Sequence, residues 1–145
     1  MNGKLSWSIF WALVGIYVVI ACVLFIPAIR ELLIGFLFLI TSGTVFFLLG
    51  VALIVLTVKE KVGGMLKKFL ILTGASAAGF FVGILLHNAL YGLDIVTNDI
   101  AILSQSLEIL QVVFFFLAIP VCPIGFLVGA VGSIVLAKKG IRMAK

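Results

Sequence analysis

A small group of polar residues interrupts an otherwise apolar sequence and contains its single histidine. His87, Asn88 and Tyr91 lie in one stretch, and Glu108 and Gln111 follow about 20 residues later. On a helix, His87 and Tyr91 would share one face because they are four residues apart. Polar residues in membrane segments are functional candidates by default. Three interpretations of this candidate polar site stay open: structural hydrogen bonding near a helix end, which we favour; a path for a solute, ion or proton; and a cofactor or metal site.

Two prolines flank a cysteine in the last apolar stretch of the sequence. Pro120 and Pro123 each remove a backbone donor and displace a carbonyl one turn earlier, and Cys122 lies between them. We therefore expect a helix that is kinked or locally unwound here. Broken helices line many transporter sites, but prolines are also common in purely structural kinks of membrane helices. We expect free thiols, because the predicted depths of Cys22 and Cys122 differ by about 10 Å.

The other residues able to do chemistry form no catalytic or metal-binding pattern. One histidine cannot supply both axial ligands of a bis-histidine haem, and no cysteine or carboxylate cluster has metal-ligand spacing. The sequence lacks a phosphate-binding loop, a serine nucleophile elbow and a zinc-protease helix. No Asp or Glu lies inside an apolar run, which argues against a small proton-coupled exporter. We predict no catalytic residue, no cofactor and no metal, hence a protein that is not an enzyme.

Membrane helices must position these residues, because the composition excludes a soluble globule. The 145 residues are 65% hydrophobic and 10% charged, whereas soluble domains are roughly 45–50% apolar and 25% charged. All charged residues lie outside or at the edges of four apolar runs, and none of the runs alternates like a membrane β-strand. We predict an all-α integral membrane protein, a four-transmembrane-helix bundle forming one domain over 1–145, with helices at about 7–28, 32–58, 69–93 and 109–137.

The cations predict an orientation for this bundle. Nine of the ten fall on one predicted side, and only Arg30 falls on the other. By the positive-inside rule, both termini and the 59–68 loop face the cytoplasm. We expect the membrane to be the plasma membrane. We attribute the net charge of +5 to this topology and to anionic lipid, with a basic docking surface for a cytoplasmic partner as the alternative. Without interleaved stacking aromatics, these cations do not indicate nucleic acid binding.

The segment before the fourth run has the pattern of an amphipathic helix at about 97–108. Its apolar residues recur at helical spacing on one face: Val96, Ile100, Leu103, Leu107 and Leu110. The other faces are polar and acidic. We expect this extra-cytoplasmic helix to pack on the outer rim of the protein, with a partner or the membrane surface as alternatives.

Small residues recur every four positions in the last two runs, where they would let helix backbones approach. The two sets are Ala75, Gly79 and Gly83 in the third run and Gly125, Gly129 and Ser133 in the fourth. Their predicted depths coincide. We expect them to pack the two helices together, with a seam between copies of the chain as the alternative.

These patterns favour a small accessory or scaffold protein over a channel. We expect it to assemble through its small-residue faces, in a homo-oligomer or a larger membrane complex, and to present the outer segment to a partner. The alternative is a small oligomeric channel or transporter with a pathway near His87 and the Pro120/Pro123 break. The same residues predict that the last two helices splay in their outer halves around an outward cavity.

Overall fold

The computed structural model describes residues 4–26, 36–97 and 101–143, and all of its regular structure is helical. The elements are α1 (Lys4–Phe25), α2 (Phe36–Lys59), α3 (Gly64–Thr97), α4 (Ala101–Phe116), a π-helical turn (Leu117–Val121) and α5 (Cys122–Met143). In the described part of the chain, four helical segments are long and apolar enough to cross a membrane, which confirms the predicted number of spans. The chain is therefore a multi-pass membrane protein by helix length and composition.

The helix ends differ from the predicted ones. α1 covers Lys4–Phe25 rather than 7–28, and the predicted positions 27–28 and 32–35 fall outside the described residues. The largest difference is α3, which has 34 residues and continues past 93 to Thr97. A helix satisfies its backbone groups internally, so polar residues at its end need not stop it where the apolar run stops.

The predicted amphipathic helix at 97–108 is not a separate element. α4 begins at Ala101 and runs through the π-helical turn into α5, and one membrane-length segment covers Ile102–Lys139. The predicted apolar stripe is also divided: Val96 belongs to α3 and is 79% exposed, whereas Leu107 is buried. Ile100 falls outside the described residues. The buried line on α4 is instead Leu107 and Gln111, which face α3.

Helix α3 is the centre of the bundle and packs extensively on both α2 and α5. Glycines set its distance from α2. A Cβ atom on Gly74 would lie 2.6 Å from the Gly50 carbonyl oxygen, and one on Gly50 would lie 2.7 Å from the Gly74 carbonyl oxygen. The two backbones therefore touch where neither residue has a side chain, as membrane helices do at small-residue contacts.

The predicted small-residue faces of the last two spans meet within one chain. Gly125 packs on Ser76, Gly129 on Thr73, and Gly79 on Cys122. Gly83 packs on Ala118, which lies within the π-helical turn. Ala75 lies outside this contact, because it is exposed while Ser76 and Thr73 are buried. The contacting face of α3 therefore keeps Gly79 and Gly83 from the predicted set and uses Thr73 and Ser76 in place of Ala75.

The start of α1 and the end of α2 meet at one end of the bundle. We call it the basic end, because Lys4, Lys59 and Lys61 lie there. The Ser6 hydroxyl donates a hydrogen bond of 2.5 Å to the Glu60 carboxylate. A tight turn follows, in which Lys61 and Gly64 have positive φ angles of 51° and 64°. α3 thus starts beside the end of α2, so the far end of α3 lies at the opposite end of the bundle.

Candidate functional site

Four polar side chains hold α3 and α4 together at the end opposite the basic end. His87 Nδ1 lies 3.0 Å from the carbonyl oxygen of Gln111, within hydrogen-bonding distance. The imidazole also packs against the ring of Phe115, with ring centroids 5.6 Å apart. Of the predicted polar site, the structure thus brings together His87 and Gln111.

The other two members of this polar cluster were not predicted. Ser104 donates a hydrogen bond of 2.7 Å to one carboxylate oxygen of Asp94, and the Gln111 amide lies 3.5 Å from the other. The same amide nitrogen lies 3.4 Å from the Leu90 carbonyl oxygen. His87 and Asp94 are seven residues apart, the two-turn repeat of a helix face. That spacing could have identified Asp94, but the predicted third helix ended at 93. The polar cluster is His87, Asp94, Ser104 and Gln111.

The remaining predicted members lie outside the cluster. Asn88 is exposed and donates a hydrogen bond of 2.8 Å to the Ile84 carbonyl within its own helix. Tyr91 is 56% exposed, and Glu108 is also exposed. In the part of the chain that the structure describes, these three side chains therefore do not join His87 and Gln111 in one site.

The outer halves of α3 and α4 do not splay. His87 contacts the α4 backbone, and a Cβ atom on Gly83 would lie 3.0 Å from that of Ala118. The expected outward cavity between these helices is therefore absent among the described residues. The close backbone contact at Gly83 and the hydrogen bonds of Gln111 fill the space in which this cavity was expected.

α3 and α4 extend beyond the described part of α1 and form what we call the projecting hairpin, residues 88–97 and 101–108. At about 1.5 Å per residue, the 34 residues of α3 cover about 51 Å and the 22 residues of α1 about 33 Å. A hydrocarbon core is about 30 Å thick. The excess of about 18 Å lies at the polar-cluster end, because α1 and α3 both begin at the basic end.

Large apolar side chains on the projecting hairpin face outward. Val96 and Ile102 are 79% and 83% exposed, and Ile95 and Leu93 are about half exposed. The hairpin contains acidic residues but no Lys or Arg. The surface of the hairpin is therefore apolar with negative charge. It belongs to the part of α3 and α4 that exceeds the length of a membrane span.

The proline segment forms a π-helical turn rather than an interruption of the helix. The Cys122 backbone N–H donates to the Leu117 carbonyl, and Pro120 lies inside the turn. Proline has no N–H, so the wider turn avoids an α-helical bond that Pro120 could not make. Cys122 is buried, and both cysteines are free thiols.

A cavity of about 330 Å³ lies between α1, α2, α3 and α5 beside this turn. Four aromatic rings line it: Tyr17, Phe46, Phe80 and Phe126. Cys122 and Pro123 contribute to the same wall, so the predicted helix break borders a cavity, and His87 is not among its lining residues. The sequence contained no signal for it, because its aromatic residues come from four different helices.

No family model, curated protein or solved structure matches this chain. No group of three or more potential metal-ligating side chains occurs within residues 4–26, 36–97 and 101–143.

Proposed function

We propose that this protein is a non-enzymatic accessory or scaffold subunit, which binds a partner protein through the projecting hairpin. One observation carries the proposal: large apolar side chains are exposed on a helical hairpin longer than a membrane span. Exposed apolar residues within the span contact lipid, but Val96 lies about 48 Å along α3 from Gly64, against about 30 Å for a hydrocarbon core, so we expect Val96 and the neighbouring Ile102 to lie outside the lipid tails. Exposed apolar patches of this kind are typical of interaction sites.

The charge of the hairpin defines the partner surface. Glu108 is exposed, and the hairpin has no Lys or Arg to balance it. A helix that lies on anionic lipid needs a basic polar face, so the lipid surface is a poor match. We therefore expect a partner segment with apolar residues flanked by Lys or Arg.

The small-residue faces support packing between helices of one chain more than assembly of several chains. Gly79, Gly83, Gly125 and Gly129 all contact residues of a neighbouring helix of the same chain. A seam between copies would have to replace those contacts. The proposal therefore transfers assembly from these faces to the projecting hairpin, in a larger membrane complex rather than a homo-oligomer.

The positive-inside distribution supports an orientation with the basic end in the cytoplasm and the projecting hairpin outside, in the plasma membrane. The partner would then be an extra-cytoplasmic segment or the outer part of another membrane protein.

A channel or transporter near His87 receives less support. The polar groups of the cluster bond to one another or to backbone carbonyls rather than facing an open path. Replacing His87 by Gln separates the two functions: liposome flux that changes with the substitution would favour the channel, and absence of flux favours the accessory role.

Site-specific photo-cross-linking in native membranes tests the proposed partner surface. A photoreactive residue at Val96 or Ile102 should give a protein adduct, whereas one at Val131, which is 58% exposed within the span, should react only with lipid. Glu108→Lys should reduce the adduct, and Lys61→Glu at the basic end should not. The complex extracted in mild detergent should have a mass greater than that of the chain, and the difference should equal the mass of a different polypeptide. Equal protein adducts at Val96 and Val131, or none at Val96, would overturn the proposal.

A further inference from the structure

The aromatic cavity lies near the middle of the membrane. Tyr17 is 13 residues from Lys4, and Phe126 is 12 residues from Lys138. At about 1.5 Å per residue, the rings of Tyr17 and Phe126 lie about 18–20 Å along their helices from Lys4 and Lys138, respectively. Phe80, 12 residues after Lys68, lies at the same depth. Because a hydrocarbon core is about 30 Å thick, the cavity is surrounded by lipid tails and is far from both headgroup layers.

The cavity opens sideways, between α1 and α5. α1 packs mainly on α2, and its ring contact with α5 is the stack of Tyr17 on Phe126, with centroids 4.5 Å apart. Ile119 and Leu127 line the cavity and are 46% and 48% exposed, so part of its wall reaches the lipid-facing surface. A ligand dissolved in the bilayer can therefore enter without crossing water.

Two hydroxyl groups distinguish this cavity from a packing defect. Tyr17 and Ser76 both line it, and neither has a hydrogen bond to any residue in the described ranges. Ser76 is 92% buried, since its exposure is 8%. An unpaired hydroxyl in an apolar environment is costly unless a partner satisfies it. A buried water makes about three hydrogen bonds, whereas the lining offers it only the two hydroxyls of Tyr17 and Ser76, so water is weakly held here.

We propose that the cavity binds a lipid-soluble small molecule whose apolar body carries an oxygen acceptor, such as a carbonyl. The apolar body fills the space between the four rings, and the oxygen accepts hydrogen bonds from Tyr17 and Ser76. Ordinary phospholipids do not fit this description, because their ester oxygens lie at the membrane interface. The volume of about 330 Å³ is at the lower end of pockets for small ligands.

Matched probes test the proposal on the purified full chain. Decyl phenyl ketone carries one carbonyl, and undecylbenzene has a methylene group in its place. Native mass spectrometry should detect one ketone molecule per chain, and titration should show weaker binding of undecylbenzene. Tyr17→Phe and Ser76→Ala should each weaken ketone binding about 3- to 10-fold, as expected for loss of one hydrogen bond, and leave undecylbenzene binding unchanged.

The control variants carry the same chemical changes, Tyr to Phe, Ser to Ala and Ala to Leu, at positions outside the cavity. Tyr91→Phe alters the only other tyrosine, and Ser133→Ala alters another buried serine; both should bind the ketone as the original chain does. Ala21→Leu places a larger side chain in the cavity wall and should abolish binding, whereas Ala12→Leu on the exposed side of α1 should not.

Three results would overturn the proposal. Equal affinity for the two probes would show that the cavity takes hydrocarbon alone. Ketone binding unaffected by both hydroxyl variants would remove the role of Tyr17 and Ser76, and binding that survives Ala21→Leu would place the site elsewhere. Tyr17→Phe keeps the ring that stacks on Phe126, so the variant should fold, and its thermal unfolding midpoint checks this.

Discussion

The carboxylate of Asp94 joins the two arms of the projecting hairpin. It accepts a hydrogen bond from Ser104 and lies 3.5 Å from the Gln111 amide, so one side chain on α3 contacts two on α4. Such charge-assisted hydrogen bonds are stronger than neutral ones. If the hairpin is the partner surface, Asp94 keeps that surface in shape without contacting the partner.

Replacing Asp94 by Ala should therefore loosen the hairpin. We expect a local loss of ~1–2 kcal/mol from the missing charged hydrogen bond, and hence faster amide hydrogen exchange over residues 91–108. Glu108→Ala is the matched control, because Glu108 is an exposed carboxylate on the same hairpin. Equal exchange in the two variants would show that Asp94 does not hold the arms together.

The close contact between Gly50 and Gly74 should make the stability of the bundle sensitive to a single methyl group. Gly74→Ala would place a Cβ atom 2.6 Å from the Gly50 carbonyl oxygen, so the backbones must separate. We expect a loss of ~1–3 kcal/mol, as for other overpacked contacts, measured as the free energy of unfolding in mixed micelles.

Gly15→Ala is the control for this substitution, because a Cβ atom on Gly15 would meet nothing within 4 Å of it. Its unfolding free energy should change by less than about 0.5 kcal/mol. A Gly74→Ala variant as stable as Gly15→Ala would mean that α2 and α3 can separate at no cost.

At the scale of elements, apolar run length was enough to predict four spans but not their ends. The third helix continues past the predicted limit at 93 to Thr97, and Asp94 in this extension accepts a hydrogen bond from Ser104 of α4. That contact depends on α4 lying antiparallel to α3, which no local pattern contains. The same reason explains Ala75: four-residue spacing predicted a face, but packing on both sides of α3 selected Thr73 and Ser76 instead.

Helix α1 should be the element most dependent on a single ring. Phe126 is buried, stacks on Tyr17 and also contacts Phe46. Phe126→Leu removes these ring contacts, so hydrogen exchange in α1 should increase while exchange in α3 stays unchanged. Phe116→Leu is the control, because Phe116 is 59% exposed. Equal protection of α1 in both variants would show that its contact with α2 is sufficient.

For the whole molecule, the orientation is the prediction that most affects function. In a chain with both cysteines replaced by alanine, a single cysteine at Val96 should react with a membrane-impermeant maleimide added to intact cells. A cysteine at Lys61 should react only after the cells are permeabilised. The physical reason is the retention of cationic loops in the cytoplasm. The opposite labelling pattern would place the projecting hairpin inside the cell and exclude an extra-cytoplasmic partner.

The π-helical turn at Leu117–Val121 sets the rotational phase between the two halves of the last span. On one side of it, Gln111 meets His87, and on the other, Gly125 meets Ser76. Deleting one residue from the turn would rotate one half by about 100° relative to the other. Either the hairpin or the bundle would then lose its contacts with α3. A single residue of chain length in the middle of the membrane thus determines the direction in which a distant surface faces.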